Sequence, residues 1–242
     1  MAGSKKLGML TPSSNTALEP ITQRICHPIL HDVSVHFSRF TVKEISLDPL
    51  HLQQFDDEPM LAAARLLADA SMDAILWNGT SGGWLGLDAD RRLCETIERQ
   101  TGSPGSTAIL AQVEAMHCFG VKRYALATPY LAEVNEALSR TFDGEGFACV
   151  TAGGLGISVN TEFDRVPEQN IKDHLRSVMA PEVEAVLVVC TNFPAAYVVE
   201  DLERELGVPI IDSTVATVWK GLRMVGHRNP LDGWGRMMRD EF

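Results

Sequence analysis

Short apolar runs alternate along the chain with stretches whose apolar residues recur at helical spacing. Runs at Leu7–Leu10, Val33–Phe40, Ala74–Trp77, Tyr124–Ala127, Ala148–Ala152, Ala185–Val189 and Pro209–Ile211 predict buried strands. Between them, amphipathic patterns such as Met60–Ser71, Leu93–Gln100, Ser106–Cys118, Leu131–Phe142, Glu168–Met179 and Ala195–Leu206 predict helices. Buried strands separated by helices are the mark of βαβ units and parallel sheets, so the fold class is α/β. In such sheets ligands sit beyond the carboxyl ends of the strands.

The chain also repeats itself. Leu10-Thr11-Pro12 is echoed by Ala127-Thr128-Pro129, and Ala74 to Ser81 by Ala185 to Asn192. Ile97 to Pro104 followed by Ser106-Thr107 recurs as Leu202 to Pro209 followed by Ser213-Thr214. Three echoes in one order, each a little over a hundred residues apart, predict two pseudo-symmetric lobes with parallel sheets and a cleft between them. Residues 1–120 form the first lobe, 121–212 the second, and the stretch 213–242 is expected to return and pack on the first.

Composition narrows the class. The 242 residues are 45% hydrophobic and 22% charged, as in an ordinary globular protein with a sizeable core. A net charge of −11 argues against a nucleic-acid partner, which would call for a basic face. It leaves an anionic small molecule open, since local donors bind small anions. No apolar run approaches the ~18 residues of a membrane span, and Met1–Lys6 lead into a run too short for a signal peptide. No membrane partner is expected, and a cytoplasmic location is the default. The five cysteines are odd in number and form no C-x-x-C pair, and the seven histidines show no metal spacing. Gly153-Gly154-Leu155-Gly156 lacks the fuller dinucleotide pattern. The sequence therefore calls for neither metal nor organic cofactor.

The echo sets Gly79 opposite Cys190, each followed by a threonine and a small polar residue: Thr80-Ser81 and Thr191-Asn192. Each lies where a buried strand enters a loop opening a helix, a place where backbone N–H groups and the positive helix end favour a carboxylate. A thiol there can act as proton donor, as base or, once ionised, as nucleophile. Cys26, Cys94, Cys118 and Cys149 lie on helical or strand patterns and read as packing residues. Trp84 and Phe193 follow the two loops closely enough to line a pocket, whereas Trp77, on the strand itself, reads at least as well as core.

The opening Gly8-Met9-Leu10-Thr11-Pro12-Ser13-Ser14-Asn15-Thr16 with Glu19 resembles the N-terminal signature of maleate cis–trans isomerases and their relatives in the aspartate/glutamate racemase superfamily. Thr128-Pro129-Tyr130 with Asn135, Asn160 in Ile157-Ser158-Val159-Asn160, and Cys190-Thr191-Asn192 match further motifs of the group in the same order. The resemblance implies a pseudo-symmetric fold and a cofactor-free site with two facing cysteines. Gly79 stands at the first of those positions, so the pattern is similar to the arylmalonate decarboxylase branch, where a single cysteine protonates an enediolate. On that resemblance Cys190 gives the proton, Gly79 marks the missing thiol, Thr80, Ser81 and Tyr130 hold the retained carboxylate, and Thr191 adds its backbone N–H. Pro12, Ser13, Asn15 and Asn160 are expected at the substrate, a small carboxylic acid. A maleate-type isomerase or racemase, a cysteine-dependent amide or imide hydrolase and a non-catalytic carboxylate-binding protein stay open, as does a homo-oligomer.

Overall fold

The structure is a computed structural model, and it describes residues 4–45, 47 and 57–240. The first lobe begins with β1 (Lys5–Pro12), α1 (Leu18–Cys26), β2 (Val33–Phe40) and α2 (Asp57–Ala68). It continues with β3 (Ala74–Trp77), α3 (Gly82–Leu85), α4 (Leu87–Thr101), β4 (Gly105–Thr107) and α5 (Ala108–Cys118). The second runs through β5 (Arg123–Thr128), α6 (Ala132–Gly144), β6 (Ala148–Gly154), α7 (Asn160–Phe163), α8 (Glu168–Ser177), β7 (Ala185–Val188), α9 (Val199–Leu206) and β8 (Ile210–Asp212). Helices α10 (Ser213–Met224) and α11 (Arg236–Arg239) follow.

Each lobe holds a four-stranded parallel sheet, in the order β2-β1-β3-β4 and β6-β5-β7-β8. The order is the same in both when strands are counted from each lobe's start, so the repeat in the sequence is a repeat in the fold. Strands β3, β7 and β8 are buried at every residue, as expected where helices cover both faces. The edge strand β2 mixes buried, half-buried and exposed positions, whereas β6, expected as a buried strand, has only half-buried and exposed ones because it lies at the sheet edge. Both echoed glycines serve alike. Gly102 ends α4 with φ 73° and Gly207 ends α9 with φ 76°, the left-handed conformation that closes a helix without a Cβ penalty.

Ser106 and Thr107, expected to open the helix Ser106–Cys118, belong instead to the edge strand β4, paired with β3 from Ile75 to Trp77. Three residues are too few to show a strand period, and Ser-Thr before an apolar run reads as a helix start. The pairing also corrects the third echo. Trp77 pairs with Thr107 and Val188 with Asp212, so Thr107 corresponds to Asp212, not to Thr214. Both residues cap a helix. Thr107 Oγ1 accepts from Leu110 N, and Asp212 Oδ1 accepts from Thr214 N and Val215 N.

Those helices, α5 and α10, pack on one another, and each also touches the opposite lobe's sheet, α5 at β8 and α10 at β3 and β4. Gln112 on α5 donates from Nε2 to the carbonyls of Val188 (2.8 Å) and Ile211 (2.9 Å). At Gly221 of α10 an added Cβ would lie 3.2 Å from Leu7 and Leu76 side chains, so that helix rests closely on the first sheet. No helix among the described residues is long and apolar enough to cross a membrane.

Candidate active site

The carboxyl ends of the two sheets face each other, and their loops enclose a cavity of about 20 Å³. That is room for one or two waters. Its walls are Pro12, Asn15, Val42, Ile45, Trp77, Gly79, Thr80, Trp84, Tyr130, Asn160, Cys190, Thr191 and Asn192. None of these side chains carries a formal charge at neutral pH.

Cys190 leaves the end of β7 and is 2% exposed. Its backbone N–H donates to Ser213 Oγ at 3.3 Å, and its carbonyl accepts from Phe193 N at 3.1 Å, so a tight turn fixes the thiol. Burial pushes the thiol pKa up to about 12, against hydrogen bonds from Tyr130 and the Asn192 and Phe193 amides that pull it down. The thiol is therefore neutral near pH 7, with donors already placed to steady the thiolate left after proton transfer. Tyr130 Oη stands 2.9 Å from Thr80 Oγ1, and both are buried. Burial, followed by the nearby Cys190 charge, drives the phenol pKa well above its ordinary value, so Tyr130 also stays protonated.

A ring of amides joins the lobes around the cavity. Asn15 Nδ2 donates to Thr191 Oγ1 at 3.1 Å, while Asn15 Oδ1 accepts from Ala17 N and Leu18 N at the start of α1. Thr191 Oγ1 donates to the carbonyl of Asn78 at 3.0 Å, which leaves its backbone N–H as the group free to serve a ligand. Asn192 Oδ1 accepts from Thr16 N and Ala17 N, and its Nδ2 donates to the carbonyl of Asn160 at 2.6 Å. Asn160 Nδ2 in turn donates to Ser14 Oγ at 2.6 Å. Asn78 and Asn192 had no assigned place in the site from sequence; a polar residue fully buried at a strand end is the feature that marks them, and burial is not visible in sequence.

Several expectations shift. The helices behind Gly79 and Cys190 do not supply strong dipoles. α3 has four residues, and Cys190 leads into a short 3-10 turn, Pro194–Val198, before α9. The donors at the thiol are the Tyr130 hydroxyl and the Asn192 and Phe193 amides of the turn itself. Ser13 points to the strap that follows β2, where its hydroxyl exchanges hydrogen bonds with Val42 O (3.3 Å) and Val42 N (3.2 Å), and it does not line the cavity. Ser81 also stays outside the wall, because its Oγ accepts from Trp77 Nε1 at 3.1 Å. Phe193 is fully buried behind Cys190, edge-on to the His174 ring, rather than lining the pocket. Trp84 does line it, edge-on to Tyr130 with ring centroids 5.8 Å apart.

Trp77 fills both of the places left open for it, in the core and at the cavity. It ends β3, is 1% exposed, and its indole lines the cavity. Val42 and Ile45 also line it; the strap carrying them is tied to the second lobe by Ile45 N to Ser158 O and Asn160 N to Lys43 O. A larger groove of about 630 Å³ lies on the outside of the second lobe, along α6 and β6, and contains no thiol.

Residues 31–238 match the arylmalonate decarboxylase family. A curated maleate isomerase from Nocardia farcinica is 26% identical over 99% of this chain and 97% of its own length. The arylmalonate decarboxylase of Bordetella bronchiseptica is 28% identical over 74% of this chain and 77% of its own. Among solved structures, a cysteine-to-serine variant of the Nocardia farcinica maleate cis-trans isomerase with a covalently bound succinylcysteine intermediate superposes with a TM-score of 0.91. Its sequence identity is 24%, covering 99% of this chain and 100% of that one. A liganded arylmalonate decarboxylase in which a glycine is replaced by cysteine and a cysteine by serine gives 0.87 at 24% identity, covering 97% and 99%. Two repeated parallel sheets around a buried thiol, and a family match over most of the chain, lead to one conclusion: the chain belongs to the arylmalonate decarboxylase family, the branch that also includes the maleate isomerases.

Proposed function

We propose that the chain is a cofactor-independent decarboxylase of a substituted malonate or a closely similar small diacid, with Cys190 as the proton donor. The observation that carries this reading is that Cys190 is the one thiol lining the cavity among the described residues, and that burial keeps it protonated. In the proposed step the bond between the α-carbon and one carboxylate breaks heterolytically and carbon dioxide leaves. The electron pair passes into the retained carboxylate as an enediolate. The Cys190 Sγ–H proton then goes to the α-carbon, and solvent reprotonates the thiolate. In this reading Thr80, Tyr130 and the Thr191 amide hold the retained carboxylate and Asn15 and Asn160 border it, which their shared place in the cavity wall supports. Val42, Ile45, Trp77 and Trp84 give the departing carboxylate an uncharged, apolar surround, which favours loss of its charge.

Incubation with a panel of disubstituted malonates tests it. Carbon dioxide release that disappears in Cys190→Ala is the expected result. No release from any member of the panel would sink the reading. The burial that holds the thiol neutral counts against a hydrolase, which needs a thiolate nucleophile.

A second reading, maleate-type isomerisation, draws on the curated maleate isomerase alignable over 99% of this chain. The succinylcysteine adduct in a variant lacking one cysteine implies a second cysteine in that enzyme. Here the echoed position is Gly79, so an adduct would have to form on Cys190 itself. Conversion of maleate to fumarate by the purified protein, with a succinyl adduct on Cys190 by mass spectrometry, would favour it.

A further inference from the structure

Trp77 is the last residue of β3, and Gly79 stands two residues further on, in the loop that follows. Val188 and Cys190 hold the same places at the end of β7. The outcomes differ sharply. A Cβ built on Gly79 would lie 2.1 Å from Trp77 Cζ2, 2.5 Å from Cη2 and 2.6 Å from Cε2. The indole thus lies across the volume in which any side chain at residue 79 would begin. It has little freedom to leave. Nε1 donates to Ser81 Oγ at 3.1 Å, the ring packs on Phe40 with centroids 4.9 Å apart, and Trp77 is 1% exposed. On the other lobe the equivalent strand residue is the compact Val188, and Cys190 reaches the cavity uncovered.

We infer that Trp77 is the residue that makes this site one-sided: its pinned indole occupies the place of an opposing base and walls off that face of the bound acid. Loss of the first thiol at Gly79 is then only half of the change, because the vacated space has been filled from the strand. The inference rests on Cys190 being the proton donor. It follows that protons reach the α-carbon from the Cys190 face alone, and that a prochiral acid gives one enantiomer.

Two measurements test it, one of them independent of activity. The first is a thermal double-mutant cycle of Gly79→Ala with Trp77→Val. Gly79→Ala in the wild-type background forces a methyl into the indole and should lower Tm by about 5 °C. In the Trp77→Val background the same change should cost less than half as much. Additive shifts would overturn the inference. The second follows turnover and product stereochemistry. Gly79→Cys alone should show little α-proton exchange with solvent deuterium in the opposite product enantiomer. Trp77→Val/Gly79→Cys should racemise product at least tenfold faster, one thiol removing the α-proton from one face and the other returning a proton to the opposite face. Racemisation by Gly79→Cys alone at the rate of the double variant would overturn the inference. Non-additive melting together with no carbon dioxide release from the wild-type enzyme would overturn the decarboxylase reading, while supporting the displacement of a side chain at 79 by the indole.

Discussion

Thr80 Oγ1 and Tyr130 Oη, contributed by opposite lobes, meet at 2.9 Å beside the Cys190 thiol. The two hydroxyls come from different lobes, so the pair exists only while the two sheets hold their relative position. Tyr130 is also fixed by rings on two sides, edge-on to Trp84 and to Phe163 with centroids 5.8 and 5.4 Å apart.

That packing makes Tyr130→Phe a clean test of the hydroxyl. The ring contacts survive and one donor is lost from the carboxylate nest. Removal of one such donor elsewhere costs about 10²–10³ in kcat. A fall of that size in carbon dioxide release, with a smaller change in KM and a Tm lower by only a few degrees from the lost bond to Thr80, is the expected result. An activity within twofold of wild type would remove Tyr130 from the mechanism.

Cys190 should be slow to alkylate. With its pKa near 12, only about one thiol in 10,000 is ionised at pH 8. Cys118 is exposed and should be labelled first by iodoacetamide. Labelling at Cys190, followed by peptide mass spectrometry, should speed up about tenfold per pH unit between pH 8 and 10. A plateau below pH 9 would mean a thiolate-stabilising site and would revive the nucleophile reading.

Two buried carboxyls should make stability fall as pH rises. Burial pushes Asp212 up to about 7, against the Val215 and Thr214 amides, and Asp90 up to about 7, against its hydrogen bond from Thr107. A carboxyl with a raised folded pKa holds its proton longer in the folded state than in the unfolded one. Stability from each is therefore full below the unfolded value near 4 and is lost between about pH 4 and 7. The loss is about 4 kcal/mol per group. Asp212→Asn keeps an acceptor for Thr214 N and Val215 N but cannot ionise. Its Tm should drop less than that of the wild type between pH 5 and pH 8. Parallel curves for the two proteins would show that Asp212 titrates normally.

Gln112 couples the last helix of the first lobe to the second sheet by two bonds from one nitrogen. Gln112→Met keeps the volume and strips both carbonyls of this donor. Loss of one to two buried hydrogen bonds, about 1–3 kcal/mol, should lower Tm by roughly 2–6 °C. An unchanged Tm would mean that these two bonds contribute nothing to holding the lobes together.

The lobes and most strands were legible in the sequence because they depend on local pattern. Val33–Phe40 and Ala74–Trp77 fall where the apolar runs place them, and the echoed Gly102 and Gly207 end equivalent helices. β4 was not legible, since three residues carry no period and Ser106-Thr107 imitate a helix start. The one error in the echo, matching Thr107 with Thr214 instead of Asp212, came from similarity of residue type, whereas the true match is set by strand register. In the site, Cys190, Thr80, Tyr130, Asn15 and Asn160 were readable from motif, and the structure brings them to one cavity with Gly79, Pro12 and Thr191. Ser13 and Ser81 were readable as polar loop residues. Whether a hydroxyl serves a ligand or a neighbour depends on what lies across from it, and each is engaged by another part of the chain, Val42 and Trp77.

By itself the sequence determined an α/β chain with an internal repeat, one thiol at a strand end, and the polar residues that surround it, because periodicity and motif spacing are properties of neighbours along the chain. Only the tertiary structure decided which side of the cavity is closed. Trp77 looks like an ordinary strand residue, and nothing in its neighbours along the chain tells that its ring, buried in the core, also lies across the space above Gly79. The direction of a large side chain is set by what else competes for the same space, and that is known only once both sheets and their loops are in place.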